Sequence, residues 1–349
     1  MEAAIRSGII RAFIAASALL ASCAGPAAQP VASAEPSLPS VAAPPVIAAT
    51  APPELIAPPE PQPEPQPVIT PVAAPVIAPI CSSEATQGGA IICHVPPDTA
   101  LKLDGKPIAR ADADGIAIIG LKRTQLTPAV ISLDVQKPEG VFPVSISVPV
   151  LPRHDTVTSF GMECGKIAPQ NPQDKRKAEI AWVKKDKALK SFNAPQQTYA
   201  MQGPVKLQGV SYSSSFGATR TYVPKTKECE PTTNVHNGTD IAVGTGTEIL
   251  APMSGTVILA DPELFYEGGC VFLDLGRGLV SVTMHMSRID VKPGDVVKQG
   301  DLLGLSGATG RVTGPHLHWG IKYRNVFSDD RGTDIWLDPM LLMSLKAPT

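Results

Sequence analysis

Five residues in the last third of the sequence have the types and spacings that metal-assisted hydrolysis needs. The chain has six histidines in 349 residues, and four of them, His236, His285, His316 and His318, fall within an 83-residue window. In His236-Asn237-Gly238-Thr239-Asp240 an imidazole and a carboxylate stand four apart around a glycine, which lets the backbone turn so that both aim at one point. His316-Leu317-His318 lies in Pro315–Tyr323, which reads as a strand, and there residues i and i+2 project from one face. A catalytic zinc site uses three nitrogen or carboxylate ligands and keeps one position open, whereas structural sites are closed by four, usually cysteine-rich, ligands. No two cysteines form a CxxC pair, so the inventory favours the open kind. Spacing alone leaves open which of the five would bind metal and which would move protons.

These residues need strands and turning loops to hold them. Lys292-Pro293-Gly294-Asp295-Val296-Val297-Lys298-Gln299-Gly300-Asp301-Leu302-Leu303-Gly304 reads as two short strands joined through glycine-bearing turns. Loops at Thr221–Val235, Asp261–Gly269 and Ser306–Gly314 are expected to shape a groove beside the histidines. Upstream, Gly89–Val95, Ala100–Asp104, Ile116–Leu121, Ala129–Gln136 and Val141–Val150 are β-forming runs, with Asp104–Pro107 and Asp112–Gly115 as turns. They predict a small Ig-like β-sandwich over 81–166. A turn also accounts for the acidic pair Asp112 and Asp114 better than a calcium site does. Ala178, Ala181, Trp182, Leu189 and Phe192 recur at helical spacing, so a helix over about Gln173–Phe192 is predicted within a connector, 167–200.

The first 80 residues have a different character. Arg6 and Arg11 precede the apolar run Ala12–Leu20, too short to span a bilayer but suited to an export signal. Leu20-Ala21-Ser22-Cys23 resembles a bacterial lipobox, which predicts a leader over 1–22 and a mature chain anchored through lipidated Cys23. With Ala24 after the cysteine, an outer-membrane lipoprotein facing the periplasm is expected, the alternative being a soluble periplasmic protein. Seventeen of the 37 prolines lie between Pro26 and Pro79, so 23–80 is expected to be an extended tether with a reach of roughly 170 Å at about 3.1 Å per residue. The net charge of −2 excludes the basic excess that nucleic-acid binding requires.

From about Val210 to Pro339 the chain resembles the lysostaphin/LytM family of zinc metallopeptidases. The matching stretches run from His236 to Ala260 and from Gly278 to Gly320, where the HxGxD and TGPHLH motifs stand. The resemblance implies a mainly β chain whose domain 201–349 is an antiparallel duplicated-hybrid-motif (LytM-like) structure. It also implies one zinc ion on His236, Asp240 and His318, with His285 and His316 as a catalytic, non-ligating pair. The implied activity is zinc-dependent endopeptidase cleavage of cell-wall peptidoglycan, most naturally at D-Ala–diaminopimelate cross-links. The alternative is a non-catalytic wall-binding or amidase-activating module, and retention of all five positions argues against it. Ser215-Phe216-Gly217 echoes an early family motif, whereas Thr283 stands where a tyrosine is common. Of the five cysteines after Cys23, one bridge is expected among Cys81, Cys93 and Cys164, and a second between Cys229 and Cys270.

Overall fold

Short β-forming runs punctuated by tight turns fold much as their sequence predicts. The computed structural model describes residues 78–195, 199–206, 208–346 and 348. In it the upstream runs become β1 (Ala90–His94), β2 (Ala100–Leu103), β3 (Lys106–Arg110), β4 (Ile116–Gly120), β5 (Ala129–Lys137) and β6 (Gly140–Val148). The expected leader, Cys23 and all but the last residues of the expected tether lie outside the described residues. Strand β3 is not apparent from sequence, because Pro107 argues against a strand. Asp104 and Gly105 alone make the turn, at φ 49° and 81°, as a two-residue hairpin loop allows. Pro107 then sits on the edge of the sheet β3-β2-β5-β6, where a missing N–H is tolerated.

That sheet packs on β1 and β4 around Ile91, Leu101, Ile119, Ile131, Leu133 and Val148. Along β5 the alternation of the sequence is literal: Ala129, Ile131, Leu133 and Val135 are buried while Val130, Asp134 and Gln136 are exposed. The opposite faces of β1 and β4 are covered as well. Ile92 and Ile118 enter a core with Ile241, Leu317, Trp319 and Tyr323, and the Tyr323 hydroxyl lies 3.0 Å from the Ile118 carbonyl. Gly120 is needed at that contact, since a Cβ there would stand 2.6 Å from the Tyr323 ring. The sandwich and the C-terminal sheet therefore share one apolar core.

After the sandwich come β7 (Val157–Met162), α1 (Cys164–Ile167) and α2 (Pro172–Leu189). Helix α2 starts with Pro172, and the Asn171 side chain caps it by accepting from the Asp174 N–H at 2.8 Å. Its buried stripe is narrower than its spacing predicts: Ala181, Ala188 and Leu189 are inside, but Trp182 is 64% and Phe192 43% exposed. Two ion pairs set the helix's rotation. Lys184 binds Asp261 at 2.5 Å and Lys185 binds Glu267, which turns Trp182 outward.

The C-terminal sheet has eight strands. They are β8 (Ser211–Ser214), β11 (Thr239–Ala242), β12 (Gly255–Leu264), β13 (Gly268–Gly276), β14 (Leu279–Met286), β15 (Val296–Val297), β17 (Leu317–Tyr323) and β18 (Ile335–Leu337). The order is β8-β11-β17-β14-β13-β12-β15, with β18 on β17. Every pairing is antiparallel, the architecture that the resemblance implies. Strand β13 is buried at all nine positions, because the core covers one face and α2 contributes to covering the other. Outside this sheet, β9 (Thr219–Pro224) and β10 (Thr232–Val235) form a hairpin where a loop is expected, and β16 (Leu302–Leu305) supplies the second strand of the glycine-punctuated segment.

The expected Cys229–Cys270 bridge does not form. Strand β7 runs parallel to β9 and carries α1 to the β9–β10 hairpin, so Cys229 bonds to Cys164 instead. Cys270 remains a free thiol inside β13, its pKa pushed up chiefly by burial. The expected upstream bridge is Cys81–Cys93.

One ion pair ties the connector to the sheet. Asp274 and Arg324 are fully buried and 2.9 Å apart, and Asp274 also accepts the backbone and side-chain N–H groups of Asn193 at 2.9 Å. Removing one partner strands a buried charge, so Asp274→Ala is expected to cost about 3–5 kcal/mol. Urea unfolding will register this as a lower midpoint with an unchanged slope.

Candidate metal and catalytic site

Strand register brings the widely spaced residues together. Asp240 on β11 pairs with His318 on β17, and His318 pairs in turn with Met284 on β14, so one row across three strands carries two of the polar groups. The next residue, His285, would point to the other face of a regular strand. A bulge intervenes: β13 advances two residues from Gly269 to Val271 while β14 takes three from Met286 to Thr283. The extra residue kinks the strand and redirects its side chain. His285 takes up the bend with φ 65°, a conformation that costs a non-glycine residue about 1–2 kcal/mol and that clusters at functional sites. Its N–H is held by the Glu267 carbonyl at 2.9 Å.

His236 precedes β11 and is fixed by its backbone neighbours. Its N–H donates to the Ala218 carbonyl at 2.8 Å, and its own carbonyl accepts from the Gly217 N–H at 2.9 Å. Its Nδ1 lies 2.8 Å from the Ser215 carbonyl and 3.0 Å from Arg220 Nη2; the tautomer that donates to the closer carbonyl carries its proton on Nδ1 and leaves a lone pair on Nε2. The segment Ser215–Gly217 therefore orients the imidazole. Between His236 and Asp240, Gly238 lies against the neighbouring strand: a Cβ would stand 2.5 Å from the Trp319 carbonyl and 2.7 Å from His318 Nε2. Gly238→Ala is thus expected to displace the His318 ring. A chelator competition assay will show zinc affinity falling by about 10–100-fold, the range seen when the support of a ligand is lost.

His236 Nε2, Asp240 Oδ1 and His318 Nδ1 form a triangle with edges of 3.0, 3.0 and 2.9 Å. All three residues are buried. Donor atoms on a tetrahedral zinc with bonds of about 2.0–2.1 Å stand roughly 3.3 Å apart, so small adjustments would fit this group to the ion. His285 and His316 stand beside it, with ring centroids 4.9 Å apart, and His316 Nε2 is 3.7 Å from Asp240 Oδ1. Their Nδ1 atoms are 2.9 Å from the Thr309 and Gly314 carbonyls, respectively, so in the neutral tautomer each keeps a lone pair on Nε2. Burial, reinforced by the neighbouring His318 and His316, pushes the His285 pKa down to about 3, leaving it uncharged at neutral pH. Burial would by itself raise the Asp240 carboxyl, but hydrogen bonds and charge from His236 and His318 take it well below the usual carboxylate range. Burial likewise lowers His236, against the pull of Asp240.

Sequence reasoning misses Arg220. From β9 its guanidinium donates to Asp240 Oδ2 at 2.6 Å, leaving Oδ1 to face the imidazoles. Its Nε is buried with no partner among the described residues. No local spacing pointed to it, because the hairpin that carries it reads as a loop. Thr283 lies inside the sheet, with Oγ1 3.4 Å from the Val271 carbonyl. The tyrosines that line the cleft are Tyr222 and Tyr266. Asp112 accepts from the N–H groups of Asp114 and Ile116 within its turn and pairs with Arg277, which is the turn reading.

The profile of Peptidase family M23 matches residues 234–330, a span that holds all five residues. Those residues form an M23 peptidase domain. Over 112 residues the chain is 40% identical to the peptidoglycan DD-endopeptidase ShyA of Vibrio cholerae, covering 32% of this chain and 25% of that one. Against lysostaphin of Staphylococcus simulans the identity is 36% over 101 residues, 29% of this chain and 20% of the other. The chain thus spans about a quarter or less of these relatives' length. A crystal structure of a candidate M23 peptidase from Pseudomonas aeruginosa matches with a TM-score of 0.50 and 28% identity, over 74% of this chain and 94% of that one. That share exceeds the M23 domain alone, so the likeness extends beyond it.

Proposed function

We propose that the M23 domain is a zinc-dependent endopeptidase that hydrolyses peptide cross-links of cell-wall peptidoglycan. The observation that carries this is the convergence of three acceptor atoms with two further imidazoles alongside, in an M23 domain whose relatives include named peptidoglycan endopeptidases. His236, Asp240 and His318 hold the ion, which when bound supplies Lewis acidity toward a carbonyl and toward water. His285 and His316, oriented by the Thr309 and Gly314 carbonyls, take a proton at Nε2 and return it to the departing amine. Arg220 holds Asp240 Oδ2, which keeps Oδ1 turned toward the imidazoles. The bond cut is that between D-Ala and diaminopimelate, a reading supported by the likeness to ShyA, which is named a peptidoglycan DD-endopeptidase.

The resemblance of residues 1–23 to an export signal with a lipobox supports a periplasmic site for this activity, with the chain anchored to the outer membrane through Cys23. Mass spectrometry of purified cross-linked muropeptide dimers, incubated with zinc-loaded protein, tests the reading. Conversion to monomers that together gain one water is expected. One bound zinc with dimers left intact would instead support a wall-binding or amidase-activating module.

A further inference from the structure

We propose that Arg311 forms a carboxylate-binding subsite in the cleft, an inference that rests on the endopeptidase reading. Its guanidinium lies 5.0 Å from the ring centroid of Tyr222 and 4.7 Å from that of Tyr266, so two aromatic faces fix its plane. It lines the cleft with Asp240, His285 and His316 on one side and with His236, Asn237 and Trp336 on the other. The backbone beneath is held from two directions. The Arg311 N–H donates to the Tyr266 carbonyl at 2.9 Å, and Lys166 Nζ donates to the Val312 carbonyl at 3.0 Å. Gly310 permits this close seat: its φ is 72°, and a Cβ would stand 2.4 Å from the Gly268 nitrogen.

The other arginines with mostly buried side chains each face a carboxylate. Arg153 has Asp155 and Asp338, Arg220 has Asp240, Arg277 has Asp112 and Arg324 has Asp274. Among the described residues no carboxylate lies within ion-pair distance of Arg311, and the nearby Glu267 is taken by Lys185. A guanidinium with its plane fixed and its donors free suits a carboxylate, which it can bind through two parallel hydrogen bonds. In a D-Ala–diaminopimelate cross-link the carbon bearing the scissile nitrogen also bears a free carboxylate. Arg311 reads that group and sets the leaving side of the peptide against His285 and His316.

The test compares two muropeptide dimers, one with this carboxylate free and one with it amidated. Zinc-loaded wild type is expected to cleave the free form with a kcat/KM about 10–100-fold higher, the range of a charged hydrogen bond. Arg311→Gln should lose that preference, its kcat/KM on the free form falling toward its value on the amidated one, and Arg311→Lys should recover part of it. Calorimetry with the monomer product that carries the free carboxylate gives a readout independent of turnover. Its affinity should drop by a similar factor in Arg311→Gln, with zinc content and urea midpoint unchanged. Equal loss on both dimers, or unchanged product affinity, overturns the inference while leaving the endopeptidase reading intact. Cleavage of neither dimer by wild type overturns the endopeptidase reading, and the calorimetric comparison then still decides whether Arg311 binds a carboxylate.

Discussion

His236→Ala is expected to abolish zinc retention and lower muropeptide cleavage by at least about a thousandfold. The triangle of acceptor atoms loses one corner, and His318 and Asp240 alone do not make the three-ligand set of a catalytic site. Losing the ion removes several kcal/mol of charge stabilisation, and about 4 kcal/mol corresponds to that rate factor. The substitution leaves the Asp240–Arg220 pair in place, so the fold should survive. Metal analysis, circular dichroism and cleavage rate measured on one preparation will separate loss of the ion from loss of structure. Retention of a full equivalent of zinc would remove His236 from the ligand set.

His316→Ala is expected to have a large effect of another kind: cleavage falls by about 10²–10⁴-fold, the usual contribution of a positioned acid–base group, while zinc stays bound. His316 stands just before β17, its Nδ1 tied to the Gly314 carbonyl and its Nε2 3.7 Å from Asp240 Oδ1, so its loss leaves the three-atom triangle whole. Stopped-assay kinetics beside metal analysis make the comparison, and a parallel His285→Ala variant should behave alike. For His285 the substitution removes the imidazole but keeps the positive φ, so stability should change little. Loss of zinc in either variant would turn that histidine into a ligand.

Much of this site is written locally. The i, i+2 spacing of His316 and His318 and the four-residue span from His236 to Asp240 each carry their own geometry, because strand pleat and a glycine turn are short-range properties. The upstream strands announce themselves in the same way, by alternation, as along β5. What depends on long-range pairing is not legible. The parallel contact of β7 with β9 decides that Cys164, rather than Cys270, reaches Cys229, and nothing near any of these cysteines encodes it. The bulge that turns His285 toward His318 appears only once β13 and β14 are in register. Arg220 is hidden for the same reason, since its value lies in a partner 20 residues away on another strand. Trp182 stays outside because α2 turns Ala181, Ala188 and Leu189 to the core and is pinned in that rotation by Lys184–Asp261 and Lys185–Glu267, contacts that its spacing does not encode.

The central claim is that two imidazoles and one carboxylate hold a single zinc with a position left for substrate. X-ray absorption at the zinc edge, on the zinc-reconstituted chain, tests it directly. The account predicts one zinc with two imidazole nitrogens and one carboxylate oxygen at about 2.0–2.2 Å, completed by a light atom from solvent. Sulfur scattering at about 2.3 Å, or a shell filled by four protein groups, would contradict it.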